Sequence, residues 1–457
     1  MSLRNSIRSI CSEKAFYMSV IGLLVALPLA EFITEIIWRF NEDIMPSFFQ
    51  PQILMAFGII GTLLTVLYWV SADYGRRKFR VADVFYFTLL FFMILSAVFS
   101  KNPGEYSRGY AFYCENPLHF LAYYWLYFAG TLIDDKRYRR NILFVYLGVA
   151  LFQGIFAFLQ TFNIELAYCP SYHAERAAYG LTQNSNFFAG LCLVFAACAS
   201  GVYIFADELN IPKKMRYLIL VLAAFLFYVM LGSRARLAWV GFAGLLIFYI
   251  ISMAVMFRKD KESVRAPLKR SLILAGCFFA VFLAALFFTD YIREATVRSY
   301  WEVANGDVDK IGSDRIYNWK MGLSSVPGHW LTGVGLDNYS YVFLSDPGYQ
   351  FGMYVQEKGH NEYLHTMVTQ GVPALINYLA LLIYACGGAV KSILKRSSGE
   401  ERAVTWILLG MFASYAVQAF FNSSIINVVV YFWFVIGLIT PRTVIKPDKN
   451  RLNSADL

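Results

Sequence analysis

Two histidines, an asparagine and a glutamate fall within six residues, His360 to His365, in the stretch KGHNEYLHTMVTQG from Lys358 to Gly371. A histidine takes or gives a proton near neutral pH, which suits it to drawing a proton from a hydroxyl. Arg234 and Arg236 in GSRAR (232–236), and Arg315 in DRIYNWKMGLSSV (314–326), are its natural complement. Arginine stays charged at any working pH and offers a planar fork of donors to phosphate oxygens. Near a low-dielectric boundary such groups hold an anion more tightly than in water, so the set suits a pyrophosphate at lipid headgroup level. Like charge disfavours an imidazolium, so the His360 pKa is expected to fall and leave the neutral ring ready as a base. Asn361 and Glu362 are expected to orient it. His365 stands one turn beyond Asn361. Plainer readings exist for each: snorkelling to lipid phosphates for the arginines, and a helix-start hydrogen bond for the histidine.

Other polar groups carry less. Asp307 and Asp309 in GDVDK have a spacing that a divalent cation can bridge, but it is common by chance. GVGLDNY (333–339) is a glycine turn with no strand–turn–helix context. Glu31 and Glu35 lie one turn apart within an apolar run, facing the bundle interior or marking its outer end. His119, His173 and His329 are isolated and read as structural. Five scattered histidines and seven cysteines without a CxxC pair predict no metal site. Cys114 and Cys169 share the outer side, where a disulfide between them is open.

The elements that must position these groups are membrane helices. The chain has 457 residues, of which 58% are hydrophobic and only 16% charged, with a mean hydropathy of +0.49. This composition excludes an ordinary soluble domain. Apolar runs near the ~20-residue span of a bilayer recur at 16–38, 52–72, 82–100, 112–133, 141–162, 187–206, 217–232, 237–257, 271–289, 372–390, 403–421 and 425–440. The expectation is an all-α polytopic membrane protein of about twelve transmembrane helices, one membrane domain over 1–457. The first run is long enough to stay as a helix rather than serve as a cleaved signal.

Taking the N-terminus as cytoplasmic, the inner connections hold 28 of the 40 lysines and arginines. That is the positive-inside bias; basic residues distributed this way do not indicate nucleic-acid binding. Outer arginines gain nothing from the bias and need another reason. The outer side also holds the longest connection, Asp290 to Gly371, which its Trp, Tyr and Gly content marks as ordered with short helices. DRIYNWKMGLSSV within it reads as an amphipathic helix on the outer surface. Residues 441–457 form a short basic cytoplasmic tail.

With these residues in place, the chain resembles the bacterial O-antigen ligase and O-antigen polymerase superfamily. The likeness rests on YGLTQNSNFFAG (179–190), LGSRARLAWVG (231–241), GSDRIYNWKMGL (312–323) and GHNEYLHTMVTQGV (359–372), in that order and on one side. It implies a GT-C-like glycosyltransferase of the bacterial cytoplasmic (inner) membrane, with both termini cytoplasmic and the site extracytoplasmic. Such enzymes take a glycan from undecaprenyl pyrophosphate and pass it to an acceptor hydroxyl, on lipid A–core for a ligase or on another lipid-linked unit for a polymerase. The resemblance implies no metal and no cofactor, arginines (Arg234, Arg315) on the pyrophosphate and His360 on the acceptor. Arg236 is an extra charge beside the matched Arg234, and His365 competes with His360. A protein O-oligosaccharyltransferase, a non-enzymatic transporter of lipid-linked sugars and an anchor for an assembly complex are the alternatives. A transporter places polar groups near the midplane in repeated halves. Here they cluster at one face.

Overall fold

The computed structural model describes residues 11–445 apart from 39, 42–48, 72–77, 103–114, 167–176, 291–293, 295–300, 302–303, 306–314, 349–354, 396–398 and 424. Cys114, Cys169, His173, Asp307, Asp309 and the basic tail from residue 446 lie outside the described residues.

The described chain is helical. In order the helices are α1 Glu13–Trp38, α2 Phe49–Ser71, α3 Val81–Val98, α4 Pro117–Leu132, α5 Lys136–Gln160, α6 Ser185–Ile204, α7 Lys213–Gly232, α8 Arg236–Lys259 and α9 Lys261–Phe288. After them come α10 Arg315–His329, α11 Tyr341–Leu344, α12 Glu362–Gln370, α13 Val372–Lys395, α14 Glu400–Gln418 and α15 Val429–Ile439. Among the described residues nine helices are long and apolar enough to cross a membrane, so the protein is a polytopic membrane protein. Each of the twelve apolar runs holds a helix, but α4 has 16 residues and α15 only 11.

Which helices lie inside follows from their pattern. A helix that is apolar all round has no face for headgroups or water and is covered by neighbours. Thus α15 is buried throughout, and α6 is buried from Phe187 onward. By contrast α2, α3, α8, α9 and α13 turn isoleucine, leucine and phenylalanine outward, among them Ile60, Phe91, Ile250, Phe279 and Ile383. Membrane helices gain from close backbone contact at small residues. At Gly437 of α15 an added Cβ would stand 2.2 Å from the Tyr127 carbonyl oxygen of α4.

Two of the helix ends that depart from the apolar runs do so for a plain physical reason. The basic segment expected as an inner loop is helical from Lys261, because Asp260 caps it by accepting the Ser263 amide at 3.2 Å. The last run begins its helix only at Val429. Before it, Asn422 and Ser423 are buried in non-helical chain whose polar groups serve tertiary bonds.

The connections separate onto two faces. On one, Glu13 accepts the amides of Asp134 and Asp135, and Arg80 donates to the Thr131 carbonyl at 3.0 Å. Arg442 pairs with Asp134, Lys136 with Glu401, Arg402 with Glu208, and Arg270 with Asp207 on the same face. The other face carries the long connection. There α10, α11 and α12 share a small core of Val334, Tyr339, Val342, Phe343, Leu364 and Val368. Gly333, at φ +71°, lets this layer close onto α12: a Cβ there would meet the Thr369 carbonyl carbon at 2.2 Å. Ser96 of α3 donates to the Thr369 carbonyl at 2.8 Å and fastens the layer to the bundle.

Candidate functional site

The arginine turn joins α7 to α8. Ser233 ends α7 by donating to the Met230 carbonyl, and its hydroxyl oxygen accepts the Ala235 amide at 3.3 Å. Between them Arg234 takes a left-handed backbone, φ +59°, and Arg236 opens α8. A non-glycine residue held there costs on the order of 1–3 kcal/mol and is kept only where the surroundings fix it. The turn is therefore neither an extended strand nor a continuous helix. It is tied to the preceding motif loop by the Ala178 amide donating to the Gly232 carbonyl at 2.9 Å.

Arg315 is the first residue of α10. Asn318 and Trp319, three and four residues later, share its helix face. They hold the histidine loop: the Asn318 amide donates to the Lys358 carbonyl at 2.9 Å, and the Trp319 indole N–H to the Gly359 carbonyl at 3.0 Å. One helix thus sets the arginine against the loop that ends in His360. Below, the Lys358 ammonium is buried between Glu115, at 2.6 Å, and Asp337, at 3.7 Å. Burial, opposed by Lys358, raises the Asp337 carboxyl to about 7.

His360 is half-buried with φ +46°. Its backbone amide donates to Ser423 Oγ at 3.0 Å, and its Nε2 lies 3.2 Å from Gln356 Oε1. Ser423 is fixed in turn. Its amide donates to Asn422 Oδ1 at 3.0 Å, while Asn422 Nδ2 reaches Gln418 Oε1 and the Asn186 carbonyl, each at 3.1 Å. The histidine loop, the end of α14 and the start of α6 are therefore one hydrogen-bonded unit.

Charge links these parts. Burial, and after it the charge of Arg236, lower the Arg315 pKa. Burial, and after it the charge of Arg315, pull His360 down to about 4. The shift has the direction expected beside arginines, but burial is its larger cause. Arg236, Arg315 and His360 form a charge-coupled set; Arg234 lies two residues before Arg236 on the same turn. Helix α8 begins at Arg236 and α12 two residues after His360, so their positive N-terminal ends add to the field.

The expected supporting residues do other work. Asn361 caps α12, its Oδ1 accepting the amides of Tyr363 and Leu364. Glu362 is buried, accepting hydrogen bonds from Tyr378 at 2.7 Å and Tyr415 at 3.0 Å. Burial raises its carboxyl to about 7. A residue that opens a helix turns its side chain along the helix flank, here into the bundle and away from the loop. His365 is buried, stacks on Tyr339 at 5.4 Å, and accepts the Gly359 amide on Nδ1 at 3.4 Å. Burial, then Lys358, lower its pKa well below the usual range. Glu362, His365, Glu115, Gln370 and Tyr378 line a cavity of about 30 Å³ beneath the loop. Glu31 accepts from Gln183 and ties α1 to the motif loop. His119 bridges the Asn116 amide at the start of α4 and the Pro51 carbonyl of α2, and His329 faces the Ser325 carbonyl one turn back. Among the described residues no three His, Cys, Asp or Glu side chains gather as metal ligands.

Gln356, Ser423 and Asn422 are the site neighbours that sequence reading missed. Nothing in their types or spacing announced them.

Residues 219–379, roughly a third of the chain, match the family model described as O-Antigen ligase. The matched segment includes Arg234, Arg236, Arg315, Gln356 and His360. No curated protein matches the chain.

Proposed function

We propose that this chain, which belongs to the O-antigen ligase superfamily through its segment 219–379, transfers a glycan from undecaprenyl pyrophosphate to an acceptor hydroxyl. The observation that carries the reading is that the helix bearing Arg315 holds the His360 loop directly, through Asn318 to the Lys358 carbonyl and Trp319 to the Gly359 carbonyl. The reaction takes place on the outer face of the bacterial cytoplasmic membrane. The opposite face carries the basic connections, in keeping with both termini being cytoplasmic. One membrane domain over 1–457 holds the site, with 290–371 supplying Arg315 and His360.

The guanidinium groups of Arg234, Arg236 and Arg315 hold the pyrophosphate and stabilise the charge that builds on it as it leaves. His360 takes the proton from the acceptor hydroxyl. That oxygen attacks the anomeric carbon from the face opposite the pyrophosphate. The carbon–oxygen bond to phosphate breaks, and its electron pair leaves on undecaprenyl pyrophosphate. Positive charge comes from arginine, so the reading needs neither metal nor cofactor.

The test is incubation of purified protein with lipid-linked glycan and acceptor. Release of undecaprenyl pyrophosphate is expected with wild type and lost in His360→Ala and Arg315→Ala; release that survives both overturns the roles. The acceptor is read from a deletion strain. Complete glycan left on its carrier marks a ligase acting on lipid A–core, and single repeat units mark a polymerase.

A further inference from the structure

We propose that Gln356 fixes the tautomer of His360, so that Nδ1 is the atom that takes the acceptor's proton; the inference rests on His360 serving as the base. The contact is Nε2 of His360 to Oε1 of Gln356, 3.2 Å. A carboxamide oxygen only accepts, so Nε2 must carry the hydrogen. A neutral imidazole has one N–H, which leaves the lone pair on Nδ1. The backbone amide of His360, which could otherwise meet the ring, is already given to Ser423 Oγ.

Burial and, after it, the charge of Arg315 disfavour the protonated ring. The charge of Arg315 acts on His360, and that of Arg236 on Arg315. His365 of α12 is itself held neutral by burial, and the Lys358 charge is matched by Glu115 and Asp337. An amide partner suits this setting. A carboxylate at 356 would orient the ring equally well but would draw it toward the cation and compete with the pyrophosphate for the arginines. Gln356 orients without adding charge. It is a positioning residue, acting on the reaction through His360.

The experiment uses the full-length protein in detergent, with ¹⁵N-labelled histidine. The His360 signals are assigned by their loss in His360→Gln. The proposal expects wild type to carry the proton on Nε2 and Gln356→Met to show both tautomers. It expects Gln356→Met to lower kcat about tenfold, a fraction of the ~10²–10⁴ that a general base supplies, with the donor KM little changed. Gln356→Glu should move the acid limb of kcat/KM upward by about one pH unit, the effect of a carboxylate beside an imidazolium. A proton on Nδ1 in wild type, or an unmoved limb in Gln356→Glu, overturns the proposal. The NMR reading does not depend on turnover. An Nε2–H signal together with full activity in His360→Gln would therefore refute the base role while leaving the Gln356 contact intact.

Discussion

The indole N–H of Trp319 donates to the carbonyl oxygen of Gly359 over 3.0 Å, one residue before His360 and one helical turn after Arg315. This bond couples the spacing of the cation to that of the base. Trp319→Phe keeps an aromatic ring against Phe421 but removes the donor. The expected result is a fall in kcat/KM of about fivefold, the worth of one hydrogen bond near 1 kcal/mol, with little change in thermal stability. Steady-state transfer kinetics and a melting curve in detergent check both halves.

Arg315→Lys separates charge from shape. Lysine keeps the positive charge but has no planar fork for two phosphate oxygens. The donor KM should rise, by about tenfold for 1–2 kcal/mol of lost bidentate bonding. His360 should titrate much as before, because burial is the larger cause of its shift. Unchanged KM would place the pyrophosphate elsewhere.

Acid dependence follows from His360. The ring serves as base only when neutral, and its pKa is pulled from 6.5 to about 4. Activity should hold from neutral pH down to about 5 and fall through about 4, where a solvent-exposed histidine would already have lost it near 6.5. Stability moves in the same direction: the unfolded chain binds this proton first, so the group destabilises the fold as pH drops from 6.5 toward 4. A pH profile of kcat/KM with the limb near 6.5 would contradict the burial of the ring.

Lys358→Met leaves Glu115 and Asp337 buried without their cation. Breaking one partner of a buried ion pair costs about 3–5 kcal/mol. A large drop in melting temperature is expected. The double variant Lys358→Met, Glu115→Gln should recover part of it, since the stranded charge is then removed as well. Equal melting of single and double variants would show that the pair is not coupled.

The bundle was legible because twelve apolar runs are long and separated by basic or polar connections. The misplaced ends show where that signal stops. Lys261 to Arg270 are charged yet helical, because good helix formers outside the apolar slab continue a capped helix. Ile425, Ile426 and Val428 are apolar yet outside α15, because the Asn422 side-chain amide and the Ser423 hydroxyl just before them hold the chain in tertiary bonds. In the site, Arg236, Arg315 and His360 stood out by residue type. Asn361 and Glu362 were read as partners of His360, although asparagine followed by an acidic first turn is also a helix-start pattern. Gln356 and Ser423 were invisible, since their roles come from contacts across 4 and 63 residues that nothing in their types announces.

The shortness of α15 has a consequence for how the protein is made. Eleven residues rise about 16 Å, roughly half of the ~30 Å hydrocarbon layer. A machine that releases segments into lipid by their own length and hydrophobicity would hold this one weakly. Its retention must come from α4, already in place, whose backbone meets it at Gly130 and Gly437. Placing α15 is therefore an assembly step between protein surfaces rather than one more independent insertion.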